Sequence, residues 1–295
     1  MTRERLRVGI SPCPNDTFAF HGLLERRIDS GFELDFELAD IESLNERWLA
    51  GEFDVAKVSF AAALHATDAL VLTAGAAVGR GVGPVVLARY GVPAPDAAGT
   101  RVLAPGELTT ATLLWRIFHP AAAPLRQVVF SAIPGKLERG EADLGVCIHE
   151  ARFTYRERGL RLVEDLGERW ESATGLPLPL GGLLARRSLG PERASRFAAA
   201  VRASIEHARA SPDAALATMR RHAQEHLDEV LRQHVELYVT SDTLRLGSQA
   251  QEALAELALR AVAAGAAPAG ASLAVAEGTV PGSTSTGSPR TLGPR

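Results

Sequence analysis

The stretch "LGVCIHEARFTY" (Leu144–Tyr155) runs four apolar residues and a glycine into a histidine and a glutamate. A strand that surfaces on an imidazole can deliver a proton acceptor, since histidine is the acid–base side chain that titrates near neutral pH. His149 is therefore the candidate general base; the competing reading is a packed ring hydrogen-bonded to backbone. Three polar segments stand where a strand gives way to a helix: "SPCPNDTF" with Asn15, "KVSFAAALHA" with Ser59, and "PGELTTATLL" with Thr109 and Thr110. Free N–H groups at helix starts, helped by hydroxyls, can hold a carboxylate or phosphate, although each of these residues could equally be a plain N-cap. Cys13 stands near a helix start, but no resolving cysteine or partner histidine is evident in the sequence, and packing is the expected role. His222 and His226 are spaced i, i+4, yet "HAQEH" lacks the glutamate of a zincin and has no third ligand, so no metal site is expected.

These residues need elements to position them. "LRVGI" reads as a buried strand, "FELDFEL" alternates as a strand should, and "DVAKVS" is a third strand. Helical spacing covers Thr17–Arg27 and Ile41–Ala50, the latter after Asp40 as N-cap. A second α/β run covers about 101–166, with strands near Arg101–Ala104, Val128–Phe130 and Leu144–Ile148. Such alternation implies open, mostly parallel sheets flanked by helices. "GEFDVAKVS" and "GEADLGVCIH" repeat one pattern: a helix-ending glycine, an acid pair, then an apolar strand. The repeat puts Ser59 and His149 at the C-terminal ends of corresponding strands, where open sheets bind ligands. "GRGVGP" (Gly79–Pro84) precedes a strand instead of a helix, so it fails as a phosphate loop and reads as a connection, with Arg80 a possible ligand contact. Residues 191–264 are helical in pattern, with starts at "GPERA" and "SPDAA", where proline takes the first helical position.

The chain has 295 residues and a net charge of -3, which offers no general attraction for nucleic acid or an anionic membrane. Its two cysteines are far apart and no apolar leader precedes the first prolines, so a cytoplasmic protein without disulfides is expected. Residues 265–295 are rich in Ala, Gly, Ser, Thr and Pro and are expected to form a disordered tail.

Together "SPCPNDTFAFHGL", "AKVSFAA", "GRGVGPVV", "PGELTTATLL", "GVCIHEARFTY" and "WESATGLPLPLGGLLARRSLG" resemble the 1,4-dihydroxy-6-naphthoate synthases, over about residues 6–264. The resemblance implies an α/β fold like a type 2 periplasmic binding protein. Two lobes would flank a ligand cleft: 1–98 with 187–264, and 99–186. It implies a lyase that converts cyclic dehypoxanthinylfutalosine to 1,4-dihydroxy-6-naphthoate, with release of dihydroxyacetone, in the futalosine route to menaquinone. His149 would be the proton acceptor, and Lys57, Val58, Ser59, Thr109 and Thr110 the substrate-binding stretches. Lys57 could instead pair with an acid, leaving the Val58 and Ser59 backbone as the contact. No cofactor or metal is implied, and the one partner is a small carboxylate. Two other readings stay open: chorismate dehydratase on the same implied fold, and a non-catalytic solute-binding protein. A DNA-linked effector domain would need a helix-turn-helix, which neither terminus offers.

Overall fold

The computed structural model describes residues 3–91, 97, 99–122, 124–223 and 227–276. Its strands are β1 (Arg5–Ile10), β2 (Glu33–Leu38), β3 (Val55–Ser59), β4 (Ala69–Val71), β5 (Ala77–Gly79), β6 (Val85–Ala88), β7 (Val102–Ala104), β8 (Arg126–Gln127), β9 (Leu144–Cys147), β10 (Arg161–Asp165) and β11 (Leu178–Arg186). They form two sheets. One runs β2-β1-β3-β11-β4, with β5 also paired to β11; the other runs β10-β6-β9-β7-β8.

The repeated Gly-Glu-x-Asp motif does the same structural job in each sheet. Gly51 and Gly140 sit at φ 85° and 72°, a left-handed turn that glycine adopts without strain. The following Asp54 and Asp143 each accept the backbone N–H of an arginine, Arg7 on β1 and Arg101 just before β7, both at 2.8 Å. β3 then pairs parallel with β1, and β9 pairs parallel with β7. The two halves are thus built alike, and Ser59 and His149 come out at matching sheet ends.

Parallel pairing does not extend to every strand. β11 runs antiparallel to β3, β4 and β5, and β6 runs antiparallel to β9 and β10. These two strands follow the points where the chain passes from one lobe to the other, and they enter their sheets against the direction of β3 and β9. Their pairing also corrects the expected lobe limits. Residues 85–88 belong to the second sheet and 178–186 to the first, so the chain crosses near 79–85 and 165–178, not at 98/99 and 186/187. At the crossing the backbone is packed tightly: a Cβ on Gly167 would lie 1.8 Å from the carbonyl oxygen of Val82, so only glycine fits there.

Local differences from the sequence reading have local causes. The first helix starts earlier, at Pro14, where proline suits the first turn; it ends at Ala19, and His21–Leu24 forms a separate turn. The strand expected at Val128–Phe130 lies at Arg126–Gln127, and Phe130 opens a 3-10 turn. The helices Pro191–Ala210 and Pro212–His222 begin where their prolines indicate.

Three tryptophans, Trp48, Trp115 and Trp170, are fully buried in a core that spans both lobes, with Leu254 and Leu257 of helix Ser248–Ala263 packed into it. A second core sets Val8, Ile10 and Phe20 against Phe197 and Val201 of the long helix. A third lies inside the second lobe around Leu87, Ile133 and Cys147.

The disordered tail expected from residue 265 is overturned for its first part. Val71 N–H donates to Ala274 O and Ala276 N–H to Val71 O, both at 2.8 Å, so this segment lies along the edge strand β4. Alternating Leu273 and Val275 pack against the core, which supplies the burial that composition alone did not suggest. Residues 277–295 lie outside the described residues. Among the described residues no helix is long and apolar enough to cross a membrane.

Candidate active site

The cleft between the lobes holds a cavity of about 100 Å³. Ser11, Asn15, Asp16, Lys57 and Ser59 line it from the first lobe, and Thr109, Thr110 and His149 from the second. Helix Asp228–Tyr238 adds His234 and Tyr238.

β9 ends at Cys147, and His149 stands two residues beyond it at φ 58°. This left-handed conformation is uncommon for a residue other than glycine, though histidine is among those enriched there. It lets the chain turn into helix Ala151–Thr154 immediately after the sheet edge. Arg152 anchors that turn to the lobe crossing, with Gly83 O at 3.2 Å and Asp165 Oδ2 at 2.5 Å. The Phe130 ring meets the imidazole edge-on at 4.7 Å. On the other side the Sγ of Cys13 lies 3.3 Å from His149 Nδ1. Burial lowers the pKa of His149 below its ordinary value, against the opposing pull of Glu150 and Asp16. The ring is therefore a neutral acceptor at neutral pH.

Cys13 was expected only to pack. It is buried, but it faces the histidine. Burial first, then Glu150 and Asp16, push its thiol well above the usual range, so it stays protonated.

Lys57 is spent on an ion pair. Its Nζ lies 2.5 Å from Asp16 Oδ1 and donates to Gly75 O at 3.1 Å, with both charged side chains almost fully buried. Asp16 also accepts from Ser11 Oγ at 2.6 Å and Asn15 Nδ2 at 2.9 Å. Strand periodicity separates the rest of this stretch: Val58 points into the core, whereas Lys57 and Ser59 line the cavity. Ser59 does not cap its helix with its hydroxyl. Its N–H donates to Asn45 Oδ1 at 2.8 Å, and its Oγ accepts from Asn45 Nδ2 at 3.1 Å.

Thr109 is an N-cap, accepting from Thr112 N and donating to Gly106 O at 2.9 Å. Thr110 instead joins the lobes: its hydroxyl donates to Leu180 O at 2.6 Å and accepts from Ala61 N at 3.2 Å. That bond uses the helix start after Ser59. The helix Thr110–Phe118 still presents Thr110 and Ala111 at the cavity wall, where first-turn N–H groups have no intrahelical acceptor. A second link crosses the cleft mouth, from Leu108 N–H to Glu42 Oε1 at 2.9 Å. The lobes are closed on each other.

Arg80 does not reach the cavity; it is half-exposed and donates to Gly175 O at 2.7 Å. His222 belongs to a helix end away from the cavity lining, and His226 lies outside the described residues. The sequence reading offers Asn15 as a helix-start residue but does not offer Asp16, Asn45, His234 or Tyr238 as site residues. "HVELY" carried a signal, because His234 and Tyr238 share one helix face.

Residues 6–263 match the family model described as menaquinone biosynthesis. A Thermus thermophilus protein named 1,4-dihydroxy-6-naphthoate synthase is 45% identical over 255 residues, covering 86% of this chain and 93% of its own. The chain belongs to the 1,4-dihydroxy-6-naphthoate synthase family. A Streptomyces coelicolor synthase of the same name is 42% identical over 263 residues, covering 87% of this chain and 93% of its own. The crystal structure of a protein from Archaeoglobus fulgidus superposes with a TM-score of 0.83 at 32% identity, covering 88% of this chain and 98% of that one. The periplasmic aliphatic sulphonate binding protein of Escherichia coli superposes at a TM-score of 0.65 and 11% identity, covering 99% of each chain. The synthase fold is therefore periplasmic-binding-protein-like, and the protein is an enzyme of menaquinone biosynthesis.

Proposed function

We propose that the protein is a carbon–carbon lyase that converts cyclic dehypoxanthinylfutalosine to 1,4-dihydroxy-6-naphthoate and dihydroxyacetone, with His149 as general base. The observation that carries this reading is a half-buried imidazole, held neutral, at the wall of an inter-lobe cavity that the start of helix Thr110–Phe118 also lines. A small carboxylate, the one partner in this reading, binds at the Thr109–Ala111 helix start, and the Ser59 hydroxyl opposite completes the cradle. Lys57 contributes through Asp16, to whose carboxylate it donates beside Asn15 and Ser11. Val58 contributes as the buried strand residue that fixes its two neighbours on the cavity side.

Bound in this way, the substrate presents a carbon-bound proton to His149. Its removal starts the fragmentation, and formation of the aromatic naphthalene ring supplies the thermodynamic drive. Lobe closure keeps water from the reacting centre. General-base help of this kind contributes ~10²–10⁴ in rate. No step calls on a cofactor or metal. Two free, buried cysteines suit work in the reducing cytoplasm. Incubation of the purified protein with cyclic dehypoxanthinylfutalosine, followed by absorbance and mass, tests the reading: dihydroxynaphthoate and dihydroxyacetone should appear together. Conversion of chorismate instead would overturn it.

A further inference from the structure

A second imidazole in the cleft has no part in the reaction described so far. His234 is 1% exposed and lines the cavity, its ring 6.4 Å from that of His149 and within 22° of parallel. Its Nε2 lies 3.0 Å from Asn15 Oδ1. The chain of bonds behind that contact fixes where the proton sits. Lys57 and Ser11 both donate to the Asp16 carboxylate, which acts there as an acceptor. Asn15 must therefore turn its Nδ2 to Asp16, as the 2.9 Å contact has it, and its Oδ1 to His234. An amide oxygen only accepts, so Nε2 of His234 carries the hydrogen. Burial, with His149 and Lys57 nearby, lowers the pKa of His234 well below the ordinary value and keeps the ring neutral. Nδ1 is left with a bare lone pair.

Among the described residues nothing donates to that nitrogen. A buried acceptor without a donor is destabilising, and such groups in native proteins usually have a ligand, a water or a catalytic use behind them. The neighbouring rings of Tyr238 and Phe153, with centroids at 4.5 Å and 6.2 Å, frame His234 with aromatic faces. What would satisfy Nδ1 is a hydrogen-bond donor brought in by the occupant of the cavity.

We propose that Nδ1 of His234 accepts a hydrogen bond from a hydroxyl group of the bound substrate, which makes His234 a specificity-determining residue beside the general base. The inference deepens the proposed function and rests on it for the identity of the substrate. The Lys57–Asp16–Asn15 chain then has a stated purpose: it holds one tautomer of the ring, so that the site reads a donor and rejects an acceptor at this place. An analogue lacking the hydroxyl would leave the nitrogen unpaired and bind poorly.

Two substitutions in the full chain separate the ring's two nitrogens. His234→Gln can still donate to Asn15 but offers nothing at the place of Nδ1; His234→Asn places an amide oxygen near Nδ1 and loses the Asn15 bond. With cyclic dehypoxanthinylfutalosine, the Gln variant should raise KM ~10- to 100-fold while kcat falls far less. The Asn variant should keep KM within about 5-fold of wild type even where its melting temperature is lower. Wild-type KM in the Gln variant, or equal losses in both, would overturn the proposal. The tautomer is read without turnover, from the ¹⁵N resonances of the His234 ring in the unliganded enzyme. A hydrogen on Nε2 and a bare Nδ1 are expected, and a hydrogen on Nδ1 would contradict it. A wild-type enzyme silent toward the substrate would instead overturn the activity itself.

Discussion

The Sγ of Cys13 and the Nδ1 of His149 meet at 3.3 Å across the cleft, one from each lobe and 136 positions apart in sequence. The thiol is buried and held protonated, so it has no thiolate to attack with; it packs against the imidazole. Cys13→Ala should therefore lower kcat by less than about 10-fold, far short of losing a catalytic group. A loss as deep as that from removing His149 would make the thiol a participant in the chemistry.

Acid should weaken the fold through the two cleft histidines. The pKa values of His149 and His234 are both lowered below 6.5, chiefly by burial. Above pH 6.5 the folded and unfolded forms of these rings are both neutral. As pH falls through that value the unfolded chain takes up protons that the folded one refuses, so stability is lost. Thermal melting should accordingly drop between about pH 6.5 and pH 5 in the wild type, and drop less in His234→Gln. The same shift places the acid limb of kcat/KM below pH 6.5, since His149 stays a competent base there. An acid limb above pH 7 would contradict that assignment.

Beside the core that spans both lobes, hydrogen bonds among the described residues help to hold the cleft closed. Glu42 accepts the Leu108 N–H across the cleft, and Thr110 of the second lobe bonds to both Leu180 and Ala61 of the first. A hydrogen bond to a charged group contributes about 1.5–3 kcal/mol, enough to shift an open–closed equilibrium ~10- to 100-fold. Glu42→Ala should enlarge the radius of gyration of the unliganded protein in small-angle scattering and speed product dissociation. Thr110→Val should do the same and raise KM. Identical scattering curves for both variants would mean that closure rests on other contacts.

Asp16→Asn should act on stability more than on chemistry. It leaves the Lys57 ammonium buried without its partner, and breaking such a pair costs about 3–5 kcal/mol. The urea midpoint should fall accordingly, and Lys57→Met, which strands the carboxylate instead, should fall by a similar amount. A neutral result in both would show that water already reaches the pair.

What the sequence discloses about this site follows the range of its signals. His149 is legible because a strand and its exit are consecutive residues, and the Gly-Glu-x-Asp repeat announces both sheet ends through a turn only a few residues long. The pairing of Thr110 with Leu180, 70 positions away, is a property of the closed cleft and leaves no mark on local pattern. The same holds for Asn15 and His234, which are 219 positions apart. Val58 illustrates the opposite case. Family resemblance marks the whole stretch 57–59, but strand alternation alone says that Val58 must face away from its neighbours. The true lobe limits are not legible because the composition of β6 and β11 suits either sheet; pairing, which is long-range, decides between them. The segment 265–276 looks too poor in large apolar groups to order itself, and it is ordered by the β4 edge that it pairs with.

The most direct test compares His149→Asn with wild type for two quantities together: kcat with cyclic dehypoxanthinylfutalosine, and the Kd of the naphthoate product by calorimetry. A fall in kcat of ~10²–10⁴ with Kd nearly unchanged is the result expected of a lost general base in an intact cleft. Turnover near the wild-type rate, with the product still bound, would remove the imidazole from the reaction.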